Sequence, residues 1–109
     1  MKKPIHRRRR PVRRARRARK VLFPLGRLLA TPGALDLLDR HAVDGVELLQ
    51  RHQRGDWGEV SPEDAAANKF AVEHCLRIVS SYRIGTTDKV WVITESDHRL
   101  TTILLPEEY

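Results

Sequence analysis

The chain has one cysteine and no long apolar run, and each shortage removes a class of protein. A lone Cys75 cannot form an intramolecular disulfide, and without paired Cys or Cys/His spacings a structural zinc site has no ligand set. Such cysteine usage suits a reducing compartment, so the expected location is the cytoplasm. No stretch approaches the roughly 20 apolar residues a membrane helix needs, and the first residues lack the apolar centre of a secretory signal. Residues 1–20 contain no serine, which a transit peptide would carry, and no acid at all. No Walker loop, G-x-G-x-x-G, nucleophile elbow or H-E-x-x-H motif occurs, so nucleotide hydrolysis, dinucleotide binding and zinc hydrolysis find no support. Neither cofactor nor metal is expected. A length of 109 residues leaves room for one small domain.

What is present is charge, unevenly placed. Lys2, Lys3, Arg7, Arg8, Arg9, Arg10, Arg13, Arg14, Arg16, Arg17, Arg19 and Lys20 put 12 positive charges into residues 1–20. The remaining 9 basic and 14 acidic residues leave residues 21–109 at −5, so residues 1–20 alone make the chain basic, at +7 overall. Residues 1–20 cannot bury enough apolar surface to offset the entropy of ordering, and with Pro4 and Pro11 they are expected to form a disordered arm. The repeat from Arg13 to Lys20 is compatible with a helix that forms once a polyanion neutralises it. A segment of this kind holds phosphate by charge with weak sequence preference, on DNA or RNA alike. The ten cations from Arg7 to Lys20 are therefore candidate nucleic-acid contacts. Two alternatives stand beside this: a tail that meets polyanions incidentally, and a translation start downstream of it.

Residues 21–109 read as an α+β domain, three helices packed on a small antiparallel meander of three or four strands. Val21–Ala30 is apolar but holds Pro24 and Gly26, which fits an edge strand or an extended lead-in. Thr31-Pro32 then marks a helix start, with Ala34, Leu35, Leu38 and Ala42 as its apolar face. A second helix begins at Asp44, with Val46 and Leu49 pointing inward. Ser61-Pro62-Glu63-Asp64 opens the longest helix, whose stripe of Ala67, Phe70, Ala71, His74, Cys75 and Ile78 is expected to pack on the sheet. On that stripe His74 reads as a hydrogen-bonded core residue and Cys75 as buried packing. Three runs follow, Ile78–Ile84, Lys89–Glu95 and Arg99–Leu105, joined by tight turns at Gly85–Asp88 and Ser96–His98. The middle run is apolar on both faces, which places it centrally.

From Phe23 onwards the chain also resembles a family of short, uncharacterised bacterial proteins encoded on plasmids and integrative elements. The resemblance runs through Pro24-Leu25-Gly26, Ala30-Thr31-Pro32-Gly33-Ala34-Leu35, Arg51-His52, Gly55-Asp56-Trp57-Gly58 and Glu63-Asp64 with Asn68. It continues through Arg77-Ile78, Ser81-Tyr82, Trp91-Val92-Ile93-Thr94-Glu95 and Thr101 to Tyr109. Members often carry the label of a type I restriction endonuclease subunit M or of a plasmid-related protein. That label implies a methyltransferase, yet this chain has neither an Asn-Pro-Pro-Phe-type tetrapeptide nor a Gly-rich cofactor loop, so methylation is not expected. Residues before Phe23 fall outside the resemblance. The turn Asp97-His98-Arg99 departs from it as well, because the resemblance implies arginine at position 98.

Two places stand out as candidate sites. Asp56, Trp57 and Glu59 lie in a polar loop where an indole sits between two glycines, which suits either a lid on the core or a partner or ligand contact. If that loop reaches the last turn, Asp56 and Glu59 join Glu95, Asp97, His98 and Arg99. Histidine as general base, arginine on phosphate and a carboxylate to orient them would make a small metal-independent ribonuclease, toxin-like in character. The plainer reading is a hairpin turn that favours Asp and solvated charge. The leading functional expectation is a non-enzymatic accessory protein of a bacterial mobile element, holding nucleic acid through its arm and a protein partner through its acidic body. A third possibility is an interaction protein of the anti-restriction or anti-CRISPR kind, its carboxylates mimicking nucleic acid. No membrane partner is expected.

Overall fold

The computed structural model describes residues 20–109. The nine arginines from Arg7 to Arg19, and the expected disorder of the arm, lie outside the described residues; Lys20 lies within them and is exposed. The elements run β1 (Arg27–Ala30), α1 (Pro32–Arg40), α2 (Gly45–Gln53), α3 (Pro62–His74), β2 (Ile78–Ile84), β3 (Asp88–Thr94) and β4 (Leu100–Leu104). This is the expected α+β class, with three helices and four strands among the described residues.

Each helix starts where its cap chemistry directs. Thr31, Asp44 and Ser61 have extended backbones, and their side-chain oxygens accept from the amides of Ala34, Val46 and Asp64. Pro32 and Pro62 occupy the first helical position, where no N–H is needed.

The sheet order is β1-β4-β3-β2, with β3 internal as expected. β2 and β3 form an antiparallel hairpin with Tyr82 opposite Val90, and β3 and β4 a second with Val92 opposite Ile103. The sheet is nevertheless mixed, because β1 runs parallel to β4, with Leu28 opposite Thr101. Three helices separate β1 from the hairpins, and a connection of that length permits parallel pairing.

The main core lies between the sheet and the first two helices. Ala34, Leu37, Leu38, Leu48 and Leu49 pack on Tyr82, Ile84, Val90, Val92 and Ile103. The inward faces are rotated from those expected. Leu37 takes the place assigned to Leu35, which is exposed, and Ala42 lies beyond the helix. Leu48 and His52 are buried with Leu49, while Val46 faces solvent.

The third helix differs more. It does not lay an apolar stripe across the sheet: Asn68 and Ala71 are its buried residues, and Ala67, Phe70, His74 and Cys75 are exposed. The reason is its position beside the outer edge of β2. There the Asn68 amide donates to Val79 O at 2.8 Å and its oxygen accepts from Val79 N–H at 3.1 Å. The helix stops at Cys75, which takes a left-handed cap conformation. The exposed His74 ring stacks on Phe70, with centroids 3.9 Å apart.

Candidate functional site

Phe23 joins the regions singled out in the sequence. The end of α2 fixes its segment: Leu22 N–H donates to Gln53 O at 2.9 Å, and the Gln53 side chain donates to Phe23 O at 3.0 Å. The buried Phe23 ring then meets His52 edge-on at 5.2 Å between centroids, Trp57 in a stack at 6.3 Å and His98 at 5.3 Å. The Trp57 loop and the last turn thus approach one another through an apolar ring. Among the described residues, Glu59 makes its ion pair with Arg83 and not with the charges of the last turn.

Those carboxylates are instead occupied locally. Asp56 accepts two hydrogen bonds from Arg51, at 2.7 and 3.3 Å, and a third from Gly58 N–H at 3.2 Å. Glu59 forms a two-point pair with Arg83, both contacts at 3.0 Å, and this guanidinium holds the exposed carboxyl below its ordinary range. Glu95 pairs with Arg77 at 3.5 Å. A nucleic-acid mimic needs bare acidic groups, and three of the four expected ones are neutralised by arginine.

The last turn is built for packing. Asp97 has φ 73° and His98 φ 54°, while His98 N–H closes onto Glu95 O at 2.9 Å. Position 97 is the third residue of a type II-like turn, where positive φ favours glycine or asparagine. The turn drives His98 inward, and its Nε2 donates to Leu76 O at 2.9 Å. Of the ribonuclease set, His98 therefore spends one ring nitrogen on backbone, Glu95 is ion-paired, and Asp97 and Arg99 face solvent.

Trp57 closes the smaller cluster of Phe23, Ala71 and Ile78, as a lid would. Its loop is bound to β2 throughout. Ser81 N–H donates to Trp57 O at 3.0 Å, Glu59 N–H to Ser81 O at 2.7 Å and Tyr82 Oη to Asp56 O at 2.6 Å. Burial, the largest influence, pushes the Tyr82 hydroxyl well above its ordinary value. Gly58 has φ 73°, and a Cβ there would collide with Ser81 O, so glycine is what lets the loop lie this close. The indole also lines an open groove of about 650 Å³ with Leu22, Ala65, Val72, Arg54 and Lys69. The indole thus both covers the smaller cluster and lines this groove.

Sequence reasoning passed over His52, which is fully buried. Its Nδ1 lies 2.6 Å from Ser80 Oγ and its Nε2 2.9 Å from Thr94 Oγ1; Thr94 Oγ1 lies 2.7 Å from Thr101 Oγ1, which donates to Leu25 O at 2.7 Å. One assignment satisfies every group. Since Thr101 gives its proton to a carbonyl, Thr94 donates to Thr101, Nε2–H donates to Thr94, and Ser80 donates to Nδ1. Burial, aided by the neighbouring His98, depresses the His52 pKa to about 3. A neutral imidazole with both nitrogens committed and no solvent contact is a structural bridge, not a proton shuttle. The signal for it was present: His52 lies four residues after Leu48 and three after Leu49, on the same helix face.

No group of three or more His, Cys, Asp or Glu among the described residues stands close enough to hold a metal ion. Nor is any described helix long and apolar enough to cross a membrane. No family model matches the chain, and neither a curated protein nor a solved structure matches it significantly.

Proposed function

We propose that this is a non-enzymatic accessory protein of a bacterial mobile element, with two binding regions of opposite charge. Residues 1–20 hold DNA or RNA through phosphate contacts, and the acidic body receives a protein partner at the Asp56–Trp57–Glu59 loop. The observation that carries the reading is the charge division, 12 cations and no acid in the first twenty residues against −5 in the remainder. Charge of that density attracts polyanions independently of sequence. The groove beside Trp57 supports the second half of the reading, since a rigid indole in a loop fixed to the sheet presents apolar area at little entropic cost.

The test is fluorescence anisotropy of labelled duplex DNA and single-stranded RNA at several salt concentrations. It compares the natural chain with one in which the ten cations from Arg7 to Lys20 are glutamine. If six to ten cations touch phosphate, log K against log salt should fall with a slope of roughly −5 to −9 on duplex DNA. The neutralised chain should lose that slope and most of its affinity. Equal binding by the two chains would move the site to the body and sink the proposal, as would RNA cut during prolonged incubation with pure protein.

A further inference from the structure

The two edges of the sheet are finished differently. On β2 the outward groups of Val79 are met by the Asn68 side chain, and those of Ser81 by Trp57 O and Glu59 N–H. On β1 nothing comparable is present. Arg27 N–H donates inward to Arg99 O at 2.9 Å and Thr31 N–H to Ile103 O at 3.0 Å. Strand alternation therefore turns the N–H and C=O of Leu28 and Ala30 outward, and no other described residue hydrogen-bonds them. Leu28 is 54% exposed and Leu29 47%, on opposite faces of the sheet. Arg27, also exposed, has no ion-pair partner among the described residues.

An open apolar edge is a pairing template, and the features beside it specify what pairs. The extended run continues through Thr31, with φ −73° and ψ 153°, so residues 27–31 are symmetric about Leu29. Let this run lie antiparallel on its own image, with a two-fold axis at Leu29. Leu28 then faces Ala30 of the second copy, giving about four hydrogen bonds across the pair, and Leu29 meets Leu29. Arg27 stands opposite Thr31 of the second copy. Thr31 Oγ1 donates to Glu108 at 2.6 Å, so this register brings a carboxylate to each unpaired guanidinium. A one-residue slip loses both ion pairs and the leucine contact together.

We propose that β1 is a self-association edge, where two copies join antiparallel into one continuous sheet through Leu28, Leu29 and the Arg27–Glu108 pairs. The covered β2 edge stops further addition, so assembly ends at two. The contact is short and sits at the small end of specific interfaces, which sets its strength near a micromolar Kd, about 1–100 μM.

The test is sedimentation velocity on the natural full-length chain, free of nucleic acid, from about 1 to 500 μM. A monomer–dimer transition in that range is expected. Leu28→Pro removes an outward N–H while leaving the β4 ladder intact, and Leu29→Lys sets two like charges at the axis; each should raise Kd at least about tenfold. Arg27→Glu should raise it by a similar factor, more at low salt than at high. Phe70→Lys, on the exposed face of α3, should leave it unchanged. Circular dichroism melts show whether the variants are folded, and Leu29→Lys with Arg27→Glu carry the test if Leu28→Pro is not. A chain monomeric throughout overturns the proposal. So does a dimer indifferent to Leu29→Lys and Arg27→Glu, or growth beyond two copies.

Discussion

His52 and His98 touch the same phenylalanine from two sides, and both are buried. They are held there by opposite means. His52 sits in a regular helix and spends both ring nitrogens on hydroxyls of β2 and β3, from which the bridge runs on through β4 to Leu25. His98 sits in left-handed backbone and spends Nε2 on a single carbonyl. The first ties strands and helix together through the interior; the second pins one hairpin turn to the segment leaving α3. Two histidines that composition alone would mark for proton chemistry are thus both structural, and they should differ in how much of the fold depends on them.

Four measurements would break or sharpen that contrast. His52→Ala should cost the most, roughly 3–5 kcal/mol in denaturant unfolding, because it leaves a cavity and strands the Ser80 and Thr94 hydroxyls. Acid is next. Folded His52 remains neutral down to about pH 3 while the unfolded side chain takes a proton near 6.5, so the unfolded state binds more protons between those values. The contribution of His52 should therefore be fully present above about pH 6.5 and be lost progressively as the pH falls below it. His52→Gln should flatten that part of the curve. His98→Ala should cost about 1–3 kcal/mol, since it leaves Leu76 O without its donor. Asp97→Gly should have the smallest effect, a gain of about 0.5 kcal/mol, because relief of the positive φ slightly outweighs the flexibility that glycine adds to the unfolded chain.

Much of the fold was legible because it is written locally. Thr31, Asp44 and Ser61 announce helix starts through their own side chains, and the central position of β3 follows from apolar residues on both of its faces. What was misread depends on distant partners. The α1 sequence offers overlapping apolar faces, one through Leu35 and one through Leu37, and only the sheet beneath chooses between them. Asn68 looks like a polar break in a stripe until Val79 lies beside it. Cys75 and His74 were read as buried because the pattern continues through them, although the helix has by then passed beyond the core. At the candidate site, Asp56, Trp57 and Glu59 were found as a group, yet Arg51 and Arg83, which neutralise two of them, were not. Periodicity carries no information about charges that meet across a loop. His98 was read as a solvated turn residue because turns usually are; its left-handed backbone sends it inward.

The parallel pairing of β1 with β4 also sets a schedule. Thr101 Oγ1 closes on Leu25 O across 76 residues of chain, and no nearer strand can take its place. At roughly 5–20 residues per second, a translating ribosome needs about 4–15 s to cover that distance. Throughout that interval the helices can form but the strand ahead of them has no sheet to join. Leu25, Leu28 and Leu29 thus stay without their sheet partners until the last strand of the chain has been made, so the first strand is among the last to be built in.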